Sequence, residues 1–117
     1  MNVRGLTFDD VILVPGYNGI KSRQNVTTNV SCMGKDFSIP VISSNMDTIT
    51  EFAMAELMTG LGGMAILHRF MTIEKNVEIY KKIKNKDKVG ISIGIGKEGL
   101  ERAERLIKEG CTILCVD

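Results

Sequence analysis

The chain has 117 residues, of which 44% are hydrophobic and 25% charged, with a formal net charge of +1. That is the make-up of one ordinary globular domain and excludes a disordered or fibrous chain. Basic residues such as Lys81, Lys82 and Lys84 are scattered without interleaved aromatics, which argues against a nucleic-acid surface.

No apolar run approaches the roughly 18 residues of a membrane helix. Met1-Asn2-Val3-Arg4 leads into no signal-peptide core, so a cytoplasmic protein without membrane attachment is expected. Cys32, Cys111 and Cys115 are odd in number, and the last two fall in a run of small and apolar residues. They are expected on one face of a strand as buried free thiols. His68 is the single histidine, and no metal site is expected.

Residues 1–38 read as a β-rich N-terminal segment. Val11-Ile12-Leu13-Val14 is a short apolar run stopped by Pro15-Gly16, which predicts a strand. Val26 to Cys32 and Phe37-Ser38-Ile39, on either side of Met33-Gly34-Lys35-Asp36, predict a hairpin around a glycine-containing turn.

Residues 39–117 alternate short apolar runs with amphipathic segments. The runs Val41–Ser44, Met64–Leu67, Val89–Ile93 and Ile113–Val116 suit strands buried on both faces. Between them, Met54, Leu57, Met58 and Leu61 predict one helix face, ended by Gly62-Gly63. A second helix is read from Ile73, Val77, Tyr80 and Ile83 with Thr72 as its N-cap. A third turns Leu100, Ala103 and Ile107 inward, sets Lys108 at its negative end and stops at Gly110. Alternation of this kind implies parallel strands with helices packed outside them. A complete (β/α)₈ barrel takes about 250 residues. The expectation is therefore the N-terminal half of such a barrel, with open strand edges, completed by further sequence or by another chain.

Gly94-Ile95-Gly96-Lys97-Glu98-Gly99 follows a strand, opens a helix and fits the spacing of a dinucleotide-binding fingerprint, with Asp117 ending the next strand. In such domains the glycines let a pyrophosphate approach the positive helix end. Here, however, other strand–helix units come first, so a Rossmann domain is kept as an alternative.

Several segments together resemble the IMP dehydrogenase and GMP reductase family. They are Leu6-Thr7-Phe8-Asp9-Asp10-Val11-Ile12-Leu13-Val14-Pro15, then Lys21-Ser22-Arg23, and then Pro40-Val41-Ile42-Ser43-Ser44-Asn45-Met46-Asp47-Thr48-Ile49-Thr50-Glu51. Gly62 to Arg69 and Val89 to Gly94 resemble the family's second and third barrel strands. The resemblance implies an α/β fold, the first half of a (β/α)₈ barrel, and a nicotinamide-dependent oxidoreductase of purine nucleotides.

Carried over residue by residue, the resemblance implies that Ser44, Asn45 and Met46 face the nucleotide, with Met46 packing on the purine. His68, Arg69 and Asp117 fall on the cofactor side, Asp117 matching an acid that holds the nicotinamide ribose. The family often has Lys or His where this chain has Arg69, and Arg does not readily give up a proton. Asp47 and Thr48 are read as the N-cap region of the first helix. Asp9, Asp10 and Arg23 are read as structural.

The family's catalytic cysteine lies on a Gly-rich loop beyond the fourth strand, so this chain is expected to hold no catalytic residue and to be inactive alone. The resemblance also implies a homo-oligomer, a tetramer, once the barrel is complete.

Asn45, where most dehydrogenases have Pro, and the direct join from the second helix to the third strand, without an inserted regulatory domain, favour NADPH-dependent reduction of GMP to IMP. Thr50-Glu51 and Gly62-Gly63 look more like NAD-dependent IMP dehydrogenases, which remain the alternative. A non-catalytic half-barrel serving assembly or nucleotide binding is the third reading.

Overall fold

The computed structural model describes residues 5–117. Met1–Arg4, read above for a signal peptide, lie outside the described residues. The chain opens as an extended arm with 3₁₀ turns at Phe8–Asp10 and Arg23–Asn25. No strand forms at Val11–Val14, where Ile12, Leu13 and Val14 are exposed, contrary to the sequence expectation. An apolar run becomes a strand only where a neighbour accepts its backbone hydrogen bonds, and no described segment pairs with this one.

The hairpin forms as predicted but is shorter. β1 (Val30–Cys32) pairs antiparallel with β2 (Lys35–Phe37). The connecting Met33 and Gly34 have φ of 51° and 70°, the positive values that a two-residue turn of the primed type requires.

A four-stranded parallel sheet follows in the order β3-β4-β5-β6 (β3 Ile42–Ser43, β4 Met64–Leu67, β5 Val89–Ile93, β6 Leu114–Val116). Its helices are α1 (Phe52–Gly60), α2 (Ile73–Lys82) and α3 (Lys97–Lys108). The order runs without the reversal next to the first strand that marks a doubly wound dinucleotide-binding sheet, and is that of successive strands of a barrel.

The sheet separates two apolar layers. Ala65, Leu67, Val89, Ile91 and Ile93 meet the helices, packing with Ala55, Val77, Tyr80, Ala103 and Leu106. Met64, Ile66 and Ile113 lie on the opposite face with Phe37 of the hairpin. Because the Ser38 N–H donates to the Gly62 carbonyl just ahead of β4, and Lys88 sits over the Phe37 ring, the hairpin covers the N-terminal end of the sheet.

α2 buries the face the sequence marks: Ile73, Val77, Tyr80 and Ile83 are all buried, and the Thr72 hydroxyl caps the helix by accepting from Lys75 N–H at 3.2 Å. α1 does so only in part. It buries Ala55 and Thr59, and of the four predicted residues Met54 and Met58 are half-buried, Met58 against the core, while Leu57 and Leu61 are exposed. Apolar residues surround this helix, so periodicity singles out no face. The small Ala55, and Thr59 whose hydroxyl donates to the Ala55 carbonyl, fit closest to the sheet.

α3 likewise buries Gly99, Arg102, Ala103 and Leu106 and leaves Leu100 and Ile107 outside. The reason is a buried charge. The Arg102 guanidinium donates to the Asn76 side chain, the Met71 carbonyl and Glu98, which turns this side of α3 towards α2. The helix ends at Gly110 as expected, with Cys111 N–H donating to the Leu106 carbonyl.

Cys111 and Cys115 do not share a face. β6 starts only at Leu114, so strand alternation does not extend back to Cys111, which joins the helix-side layer while Cys115 packs on the other. Of the three thiols, Cys111 is buried, Cys115 half-buried and Cys32 exposed.

Candidate functional site

Parallel strands deliver their C-terminal ends to one edge of the sheet, and in barrels built this way ligands bind there. At this edge Ser44–Met46 follow β3, His68 and Arg69 follow β4, Gly94 follows β5 and Asp117 follows β6. The β3–α1 loop is held by Thr50, a fully buried residue whose hydroxyl donates to the Ser44 carbonyl. The Ile49 and Thr50 N–H groups both donate to the Met46 carbonyl at 3.0 Å, forming a turn. Asp47 and Thr48 lie in that turn and not at the helix N-cap, which is Glu51. The turn absorbs residues that the sequence assigned to the cap.

The loop leaves Met46 49% exposed, so its thioether is available to a ligand. Ser44 and Asn45 line an open cleft of about 480 Å³ on the inner face of the sheet, with Met64, Ile66 and Cys115 as its apolar floor.

Asn45, Arg69 and Asp117 are joined through Ser92 of β5. Asn45 Nδ2 donates to Ser92 Oγ at 3.0 Å, and Ser92 Oγ donates to Asp117 Oδ2 at 3.3 Å. Arg69 Nε donates to the same Oδ2 at 3.2 Å. Asp117 Oδ1 has no partner among the described residues, and the side chain is 39% exposed, so one carboxylate oxygen is anchored while the other remains an open acceptor. The Arg69 guanidinium lies 4.9 Å over the Phe70 ring and beside Gly94. Its terminal nitrogens have no acceptor among the described residues.

His68 is placed differently. It is 2% exposed, and its Nδ1 accepts from Phe70 N–H at 3.1 Å. An accepting Nδ1 puts the proton of the neutral ring on Nε2, which faces Glu51 Oε1 at 3.3 Å. Its carbonyl accepts from Asn76 Nδ2 at 3.1 Å. Both ring nitrogens are therefore engaged within the chain, and His68 fixes the β4–α2 loop that carries Arg69. The sequence reading missed Ser92, Asn76 and Arg102. Ser92 interrupts an otherwise apolar strand, which is the one signal it gave.

The three cysteines are placed differently. Cys32 belongs to the hairpin at the opposite end, and Cys115 lies half-buried on the apolar floor of the cleft that Ser44 and Asn45 line. Cys111 precedes β6, and burial pushes its thiol pKa up, away from the thiolate. Among the described residues no group of three or more His, Cys, Asp or Glu side chains is placed to hold a metal ion, and no helix is long and apolar enough to cross a membrane.

The glycines of Gly94-x-Gly96-x-x-Gly99 have a local explanation. Gly96 precedes α3 with φ 94°, and a Cβ on Gly99 would lie 1.8 Å from the Gly94 carbonyl oxygen. The spacing thus serves a tight strand-to-helix turn.

The IMP dehydrogenase / GMP reductase domain model matches residues 5–117. An inosine-5'-monophosphate dehydrogenase of Nitrosopumilus maritimus is 46% identical over 89 residues, covering 74% of this chain and 18% of that protein. A GMP reductase of Leishmania donovani is 41% identical over 81 residues, covering 68% of this chain and 16% of that protein. In the crystal structure of inosine 5' monophosphate dehydrogenase from Legionella pneumophila, the matched region superposes with a TM-score of 0.82 at 47% identity, covering 97% of this chain and 35% of that one. The chain thus spans about a sixth of the length of the two curated relatives. The parallel sheet and its helices are part of a (β/α)₈ barrel, and the chain belongs to the IMP dehydrogenase / GMP reductase family of oxidoreductases.

Proposed function

We propose that this chain supplies the first four strands of an enzyme that converts GMP to IMP with NADPH, releasing ammonia. The observation that carries the direction is Asn45. Its amide donates to Ser92 and leaves Oδ1 as an acceptor open to an N–H group of the substrate. Pro, which most dehydrogenases of the family have at this place, offers neither donor nor acceptor there. α2 also leads to β5 through a short connection with a single 3₁₀ turn at Lys86–Lys88, where most dehydrogenases carry a regulatory insertion.

In this reading Ser44 and Asn45 hold the nucleotide and the exposed Met46 packs on its purine ring. Asp117 fits a nicotinamide nucleotide because its free Oδ1 is an acceptor suited to ribose hydroxyls, and the unpartnered terminal nitrogens of Arg69 suit an anionic or carbonyl group beside it. His68 serves this side by holding the loop. The nicotinamide, when bound, supplies the hydride. The nucleophilic thiol that the family uses lies on a later Gly-rich loop.

The second reading is oxidation of IMP with NAD. It is favoured by the dehydrogenase relatives, which include matches at 46% and 47% identity against 41% for the reductase. One experiment separates the two: follow nicotinamide absorbance of the complete enzyme with each substrate pair. GMP-dependent oxidation of NADPH with release of ammonia supports the reductase. IMP-dependent reduction of NAD with no activity on GMP overturns it.

A further inference from the structure

We propose that Ser92 is a positioning residue that orients the groups of both ligand sides at once, an inference that rests on the assignment of Asp117 to the nicotinamide nucleotide and of Asn45 to the purine nucleotide. Ser92 is 0% exposed in the middle of the sheet, where neither its burial nor its neighbours on the strand call for a hydroxyl. Its oxygen is nonetheless used on both sides, by Asn45 Nδ2 at 3.0 Å and by Asp117 Oδ2 at 3.3 Å.

The direction of these bonds follows from the acceptor. A carboxylate only accepts, so the single hydroxyl proton of Ser92 goes to Asp117. The serine oxygen is then left with lone pairs, and the neighbouring Asn45 must present its NH₂ and not its carbonyl. A proton placed on one side of β5 therefore decides which end of an amide faces the substrate on the other. With Arg69 Nε on the same Oδ2, the Ser92 bond also fixes the carboxylate plane, so that Oδ1 is the oxygen turned outward. Replacing Ser92 with Ala frees both groups to rotate and removes no atom that touches a ligand.

The test is a double-mutant cycle in the complete enzyme with the nicotinamide and purine nucleotides as titrants. Ser92→Ala is expected to raise the KM for the nicotinamide nucleotide roughly fivefold and that for the purine nucleotide about threefold, with kcat lowered less than twofold. Ser92→Thr, which keeps the hydroxyl, is expected to restore both to within about twofold, and in an Asp117→Ala background Ser92→Ala should add less than about twofold to the nicotinamide KM. Equal losses in both backgrounds, or failure of Thr to rescue a folded variant, would show a merely structural serine and overturn the inference. If Asp117→Ala weakens the nicotinamide nucleotide while Ser92→Ala changes neither KM, only the Ser92 inference falls. If Asp117→Ala leaves nicotinamide affinity unchanged, the cofactor assignment fails first and Ser92 loses its role with it.

Discussion

Arg69 and Asp117 follow β4 and β6, strands that β5 separates, yet Arg69 Nε reaches Asp117 Oδ2 at 3.2 Å across the end of the sheet. The pair is half-exposed, and a bond of this kind contributes little to stability, about 0–1 kcal/mol. Its effect is on aim. With Oδ2 held, the carboxylate keeps Oδ1 outward. Arg69→Ala in the complete enzyme is therefore expected to raise the nicotinamide KM about fivefold while changing unfolding stability by less than about 1 kcal/mol. Steady-state kinetics beside urea denaturation checks both halves; a large stability loss with an unchanged KM would make the pair structural.

A second expectation concerns the network that holds α2 against α3. Asn76 is fully buried, donates to the His68 carbonyl at 3.1 Å and accepts from Arg102. Arg102 is itself buried, and its Nε has no partner among the described residues. Asn76→Ala removes a bond that a buried cation cannot replace with water, so a loss of about 2–4 kcal/mol is expected. Arg102→Met, which removes the charge together with its requirement, should cost less. Chemical denaturation of the two variants in parallel measures the difference, and the opposite ranking would refute this account of the network.

This network also shows where the sequence was legible. The strands announced themselves as apolar runs, and α2 by a strict spacing of Ile73, Val77, Tyr80 and Ile83, because burial on one face leaves a periodic trace. α3 was misread because its buried face carries an arginine. Hydropathy places Arg102 outside, whereas Asn76 and the Met71 carbonyl, on segments distant in sequence, join Glu98 one turn earlier in α3 to make its burial tolerable, and the two distant partners leave no trace in the local pattern. The site divides the same way. Ser44–Met46 and Asp117 were visible as strand-end residues with a family resemblance. The link from Asn45 through Ser92 to Asp117 exists only once the four strands β3 to β6 lie side by side. Val11–Val14 shows the converse, a strand-like run that found no strand to pair with.

Alkaline titration gives a third test. Burial raises the Tyr80 hydroxyl from its ordinary value of 10.0 to about 12, and burial likewise raises Cys111 from 9.0. Both groups are acids whose folded-state pKa lies above the unfolded one. The folded protein thus binds more protons in that window, and stability falls as pH rises through it. The contribution of Tyr80 is fully present below about pH 10 and is lost between about pH 10 and 12, at a slope of at most about 1.4 kcal/mol per pH unit, and Cys111 adds a decline of the same sign that begins nearer pH 9. Urea midpoints measured from pH 8 to 11.5 should trace this decline. Tyr80→Phe, which also gives up the bond from the hydroxyl to the Lys86 carbonyl at 3.3 Å, should flatten the part above pH 10. An unchanged slope in the variant would mean that Tyr80 is not the titrating group.

The last prediction separates the two readings of the Gly94-x-Gly96-x-x-Gly99 turn. If the spacing serves a tight turn, the glycines should differ in their tolerance of a methyl group according to local geometry. A Cβ on Gly99 would lie 1.8 Å from the Gly94 carbonyl oxygen and 2.7 Å from its carbon, backbone atoms that move only if the β5–α3 connection moves. A Cβ on Gly94 would meet the Arg69 guanidinium at 3.5 Å, an ordinary contact with the end of a flexible side chain. Gly99→Ala is accordingly expected to destabilise by more than about 3 kcal/mol, beyond the usual cost of overpacking, and Gly94→Ala by less than about 1 kcal/mol. A pyrophosphate-binding loop predicts another pattern, in which Gly94→Ala leaves the fold intact but abolishes cofactor binding by blocking the approach of the phosphates. Denaturation midpoints for both variants, with nicotinamide-nucleotide titration of Gly94→Ala in the complete enzyme, distinguish the two. A stable Gly94→Ala that has lost the cofactor would restore the dinucleotide-binding reading of this turn.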